Sequence, residues 1–526
     1  MNKFIAKFEP HICGVLSGFD RLMFRGTLRA LCGLPGMESY LAANRVLYKD
    51  FGDHVEQVTQ TLKEACLSRA NREKRPIQYV GSSSVSKEEL ARSIAAEQKV
   101  RQGLICVITS IEPCKTFDIY RNRSTRHLDL IQRERKCLHL YQYWMHPVWG
   151  LMHGRIQSWF PFSIQVYVNG REWLARTMDR RGWEYLRQGN CFPWVEDFER
   201  AQQLLTRQLK SDWPSLLDGV ARELNPAHPQ IFRKFQIGYY WSVFQSEWAT
   251  DVVFEQQKTL RQLYPKLVHH GITTFGSSDV LRFLGRKLPA SGNVRRSFQG
   301  EVLSDIQERP EGIRLKHGVN RNTVKVYDKA FTPEGSVLRF ETTICNVEDW
   351  RVYRPKEGDP EGALQWRPLR RGIADLHRRA EVSQQANDRY MDALASVDDS
   401  ATLLELTQRL EQPTLWRNKR VRGLRLFDRE DRRLLQAVSR GEFTIRGLRN
   451  RDLQALLFVG PATSATDARR RSAWVSRKLR LLRAHHLLQK VPHTHRYHVT
   501  KVGRKILTAI LTAARATIAQ LTALAA

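Results

Sequence analysis

Residues 320–344 read NRNTVKVYDKAFTPEGSVLRFETTI, two alternating runs on either side of a Pro and Gly turn. Period-two alternation is the pattern of a strand with one buried face, so the segment predicts a β-hairpin with a longer loop. On the first run Val324, Val326 and Asp328 point one way, and Lys325, Tyr327 and Lys329 the other. On the second, Leu338, Phe340, Thr342 and Ile344 share a face, opposite Val337, Arg339, Glu341 and Thr343. Packed on a core through one face, such a hairpin exposes two lysines, an arginine, a tyrosine and one carboxylate together. That surface suits phosphate and, through Glu341, a metal ion.

The hairpin lies in the second of two β-rich stretches, 294–353. The first, 103–170, has strand character at 104–110, 116–120, 137–144, 151–159 and 164–168. Pairing of 137–144 with 151–159 across Pro147 puts His139, Tyr141, His153 and Arg155 on one face, fit to stack bases and hold phosphate. Two histidines without a third ligand make a poor metal site, and half-buried histidines satisfied by neighbours are the plainer reading. Helical periodicity covers 37–46, 54–71, 169–178, 197–209, 213–224 and 372–397, and Ser86 with Glu89 forms a capping box that opens another helix. Residues 239–288 also read as helix, broken near Pro265 and recapped at 276–279.

In that last segment Glu247, Asp251 and Glu255 recur every four residues beside Tyr240, Phe244, Trp248 and Val252. On a helix they project from one side, where hard oxygen ligands can share a divalent cation such as Mg²⁺ or Mn²⁺ with Glu341. A solvated helix edge is the commoner explanation of such a ridge. The pattern as a whole gives an α+β fold, with a mixed or antiparallel β-sheet core and helical insertions. Read consecutively, it divides into an N-terminal α/β segment (1–100), two core parts (101–225 and 291–400) around a helical insertion (226–290), a linker (401–426) and a C-terminal module (427–526).

A formal charge of +31 and a pI near 10.1 favour polyanionic partners, with nucleic acid ahead of a membrane surface. The charge is uneven, with 25 Lys and Arg against 7 Asp and Glu from Glu411 onward. Eight cysteines stand singly with no C-x-x-C pair, which fits small core thiols in a reducing, cytoplasmic setting. The apolar stretch 506–526 carries Arg515 and several threonines, and reads as an amphipathic closing helix on Leu507, Ile510, Leu511, Ile518 and Leu521, not as a membrane span. No small-molecule cofactor motif is evident.

The C-terminal module reads as short helices in 430–439 and 444–457 and a longer one at 468–485 crowded with Arg469, Arg470, Arg471, Arg477, Lys478, Arg480 and Arg483. Strands at 487–491 and 497–500 follow. Three helices and a β-wing, with LLRAHHLLQKVPHTHRYHVTKVGRKIL, resemble bacterial winged helix-turn-helix DNA-binding domains. The resemblance implies that the 468–485 helix enters a major groove, with the turn from His493 to Arg496 on the flanking backbone or minor groove.

The pair KVYDK and LRFETTI resembles late strands of plasmid and phage rolling-circle replication initiators. In those proteins a carboxylate helps to hold a metal, and a tyrosine attacks a DNA phosphate. Tyr327, Asp328, Lys329, Arg339, Phe340 and Glu341 match; Tyr353 and Tyr390 lie downstream, where a nucleophile would be. The paired His-x-His ligands of many such enzymes are absent from the core strands, and His493 with His495 falls in the wing. GFDRLMFRGTLR and HGRIQSWFPF look like parts of an uncharacterised bacterial family, a likeness that brings no function with it. The expected function is nucleic-acid binding, to DNA or structured RNA, in a bacterial or mobile-element setting. The alternative is a metal-dependent initiator or nuclease that nicks DNA through a tyrosine.

Overall fold

The computed structural model describes residues 2–82, 84–286, 301–309, 312–332, 335–398, 403–443 and 447–517. The chain packs as two units, each assembled from separated segments: 11–257 with 329–385, and 1–10 with 258–328 and 386–526. Along the chain the principal strands are β1 (Ile12–Thr27), β2 (Ile77–Tyr79), β3 (Gly103–Arg121), β4 (Leu128–His146), β5 (Gly150–Gln157) and β6 (Ile164–Asn169). They continue with β7 (Tyr185–Gln188), β8 (Cys191–Val195), β9 (Tyr240–Phe254), β10 (Val302–Arg309), β11 (Gly312–Val319), β12 (Asn322–Thr332) and β13 (Gly335–Ile344).

In the larger unit β13, β9, β1, β6, β5, β4, β3 and β2 lie side by side in that order, antiparallel except for the short parallel pair β2 and β3. The runs expected at 104–110 and 116–120 are one continuous strand, β3. β4 and β5 pair around Pro147 as expected, with Tyr141 opposite Arg155 and Tyr143 opposite His153. Leu22, Phe24, Leu140, Met152, Ile156 and Val166 bury one face of the sheet against helices Leu34–Asn44, Phe51–Arg72, Gly170–Asp179 and Trp213–Leu224. Helix Lys87–Glu97 packs Ala91 and Ile94 against Ile105, Cys106 and Ile108 of β3. Its start carries the Ser86 half of the expected capping box, the Glu89 N–H donating to Ser86 Oγ at 3.2 Å.

Residues 240–254, expected to be helical, are strand β9. The true helices follow at Gln257–Thr274, which runs through Pro265 without breaking, and at Ser277–Phe283, where the Gly276 N–H donates to Asp279 Oδ2. An apolar spacing of four satisfies both periods, because four is an even multiple of the strand repeat. The β-branched residues Val243, Thr250, Val252 and Val253 favour the strand.

In the smaller unit β10, β11 and β12 form an antiparallel meander. Its C-terminal part has helices Arg429–Val438, Asn450–Leu457, Ala465–Ala484 and Lys501–Ala513, and three short strands in the spatial order Leu448–Arg449, Arg496–Val499, Leu488–Lys490. Leu434, Leu448, Leu453, Val475, Leu479, Leu482, Leu487, Leu507 and Ile510 form its core. Ile518 and Leu521 of the expected closing helix, and the start of the expected 444–457 helix, lie outside the described residues. Among the described residues, no helix is long and apolar enough to cross a membrane.

Candidate metal centre and nucleic-acid interface

Three neighbouring strands of the larger unit bring carboxylates together. Thr343 of β13 lies opposite Glu247 of β9, Glu341 opposite Ala249, and Arg339 opposite Asp251, so Glu341, Glu247 and Asp251 share one face. On the other side of β9, Phe19 of β1 pairs with Trp248 and Arg21 with Glu247, which leaves Asp20 as an extra residue in a β-bulge. Phe19 packs edge-on against Trp248, whose indole N–H donates to Gln384. The bulge turns Asp20 to the face that carries Glu247. Asp20, Glu247 and Glu341 each offer one oxygen, and these lie within 4.8 Å of one another.

Arg339 organises the surroundings. Its Nε and Nη2 donate to the two oxygens of Asp251 at 2.6 and 2.8 Å, its Nη1 to Asp20 Oδ2 at 3.0 Å, and Nη2 also to the Asn190 carbonyl. Arg171 Nη2 adds a second cation 3.2 Å from Asp251 Oδ2. Burial pushes the Asp251 carboxyl up, but Arg339 and Arg171 outweigh it and hold the group below the ordinary carboxylate value. Asn190, in the turn between β7 and β8, donates from its side chain to Asp20 Oδ2 and accepts from Lys329 Nζ at 3.0 Å. Among the described residues Asp20 Oδ1 has no hydrogen-bond partner, although Asp20 is 1% exposed. Compared with family models, curated proteins and solved structures, the chain matches none. Its chemistry is therefore read from its own geometry.

The structure brings Glu341 and Glu247 together as the sequence suggested, but from two strands, not a strand and a helix. It removes Asp251 from the ligand set, because both its oxygens are engaged by arginines. Sequence reasoning missed Asp20, whose signal was a lone acid inside the apolar run VLSGFDRLMF. Lys325, Lys329 and Arg339, expected on an exposed phosphate-binding face, are buried; Lys329 and Arg339 both reach Asn190. Tyr390, a candidate nucleophile, is fully buried in the smaller unit among Phe275, Phe283 and His317, and burial raises its hydroxyl well above the ordinary value. An enclosed phenol cannot reach a phosphodiester.

Tyr353, the other candidate, is exposed on a two-stranded ribbon, Arg351–Arg354 with Gln365–Pro368, whose first strand ends the β-rich stretch expected at 294–353. It lies opposite Trp366, with ring centroids 5.6 Å apart. The histidine face of β4 and β5 is closed. Glu112 accepts from Tyr141 and Arg155 and pairs with Lys87, while burial lowers His139 and His153 to about 4.

On helix Ala465–Ala484 the seven cations divide. Arg469, Arg470, Arg477 and Arg480 are exposed. Arg471 binds Asp467 and the Gly460 carbonyl, and Arg483 lies over Trp416 and Tyr497. Lys478, expected to contact nucleic acid, is instead buried, donating to Asp431 Oδ1 at 3.0 Å beside Glu430. Arg496 is half-buried on its strand.

Proposed function

We propose that the protein binds nucleic acid, DNA or structured RNA, through its C-terminal module. One observation carries the reading: at 100° per residue, Arg469, Arg470, Arg477 and Arg480 fall within an arc of about 100° on one helix, all exposed. Small or polar residues, Ala473 and Ser476, are the exposed residues between them. A helix with such a face fits a major groove, where cations meet phosphates on either side. Three helices followed by two strands, with Leu448–Arg449 beside the second, support a winged helix-turn-helix, with His493 and His495 at the exposed tip of the wing.

The larger unit carries a surface for the same class of partner. Tyr353 and Trp366, at 55% and 68% exposure, form an aromatic pair with exposed Arg351 on the same face of the ribbon. Aromatic rings among cations are how single strands are held, by base stacking and phosphate contact.

Fluorescence anisotropy of the full chain with labelled duplex DNA and hairpin RNA, over a range of salt, tests the proposal. Four phosphate contacts give a slope of log K against log salt of about −3.6 on duplex, and Arg477→Ala with Arg480→Ala reduces its magnitude by about 1.8. No binding at low salt, or an unchanged slope in the double variant, overturns it. A covalent DNA adduct lost in Tyr353→Phe would instead assign a nicking tyrosine.

A further inference from the structure

We infer that Asp20, Glu247 and Glu341 hold a single hard divalent cation, Mg²⁺ or Mn²⁺, whose remaining positions are open to water and to a phosphate oxygen. The donor set is all carboxylate, with no imidazole or thiolate, which selects hard cations over zinc or copper. Oxygens bound to one such ion at about 2.1 Å stand about 3 Å apart when adjacent and about 4.2 Å when opposite. A trio within 4.8 Å therefore closes on an ion by side-chain adjustment alone.

The second observation is independent of the clustering. Asp20 is 1% exposed; its Oδ2 is held by Arg339 and Asn190, while its Oδ1 has no partner among the described residues. A buried carboxylate oxygen without a partner is costly, and a metal ion satisfies it.

The site also has an entrance. The Glu247 side chain is 13% exposed, and Arg21, half exposed, stands 3.6 Å from its Oε2. A phosphate reaching the ion from that side meets Arg21 at the rim. Asn190 and Arg339 fix the orientation of Asp20, as residues behind metal ligands do.

Mn²⁺ binding tests the inference, with free Mn²⁺ followed by electron paramagnetic resonance in a titration of chelator-treated full-length protein. One Mn²⁺ per chain is expected, displaced by excess Mg²⁺ and weakened at least tenfold in both Glu247→Gln and Asp20→Asn. Glu255→Gln, an exposed carboxylate just beyond β9, leaves binding unchanged. Because Asp20→Asn also disturbs Arg339, the partly solvent-facing Glu247→Gln decides the matter once circular dichroism shows it folded. No stoichiometric uptake by the wild type, or equal uptake in a folded Glu247→Gln, overturns the site. The cation does not depend on the nucleic-acid reading, and failure of either experiment leaves the other standing.

Discussion

The Arg339 guanidinium sits with no exposed surface between Asp251, Asp20 and the Asn190 carbonyl. The Arg339→Met substitution leaves two buried carboxylates without their main cation and costs about 3–5 kcal/mol, read as a lower urea midpoint by tryptophan fluorescence. A midpoint within error of wild type would show that Arg339 is not the keystone of this cluster. Alternation in the sequence correctly paired Arg339 with Glu341 on one face of its strand. It placed that face in water, and wrongly, because the Asn190 that covers Arg339 there lies 149 residues earlier in the chain. Asp20 was harder still. A bulge is a mismatch between two strands, and only the pairing of β1 with β9 displays it.

Among elements, β9 shows where periodicity misleads. Read as a helix, Glu247 and Asp251 share a stripe with Tyr240, Phe244 and Trp248, placing charges among apolar residues; read as a strand, the two sets separate cleanly by parity. That conflict was the available sign against the helix. The helix Ala465–Ala484 illustrates the converse, since neighbouring cations on one element take opposite roles. Lys478 closes the module's core on Asp431, whose two oxygens also accept from Arg422 and the Arg425 N–H. Burial pushes the Asp431 carboxyl up, but these donors outweigh it and hold the group far below the ordinary range. The Lys478→Ala substitution is expected to cost about 3 kcal/mol and lower the thermal midpoint, while leaving the salt slope of the proposed nucleic-acid binding unchanged. A changed slope with an unchanged melt would return Lys478 to the interface.

Across the whole chain, acid is the condition that strains this fold. His139, His153 and His317 are all enclosed as neutral rings, each lowered to about 4, chiefly by burial. The unfolded chain, with histidines near the ordinary 6.5, then binds more protons than the folded one between those values. Stability is therefore full above about pH 6.5 and falls as the pH drops toward 4. Thermal midpoints taken across that range should show this fall, and it should be shallower in His153→Phe, which keeps the stack on Tyr143 and Tyr167. Equal slopes in the two proteins would mean that His153 titrates alike folded and unfolded. At this scale the sequence alone determined that helices and strands mix in one fold, many of those elements, the basic character and the concentration of arginines in helix Ala465–Ala484. These follow from local periodicity and composition, which each segment carries within itself. Tertiary structure alone decided that the chain packs as two interleaved units, that the hairpin's cations are interior, and that Asp20 joins Glu247 and Glu341. Burial and strand registry are relations between distant segments, and no single stretch of the chain records them.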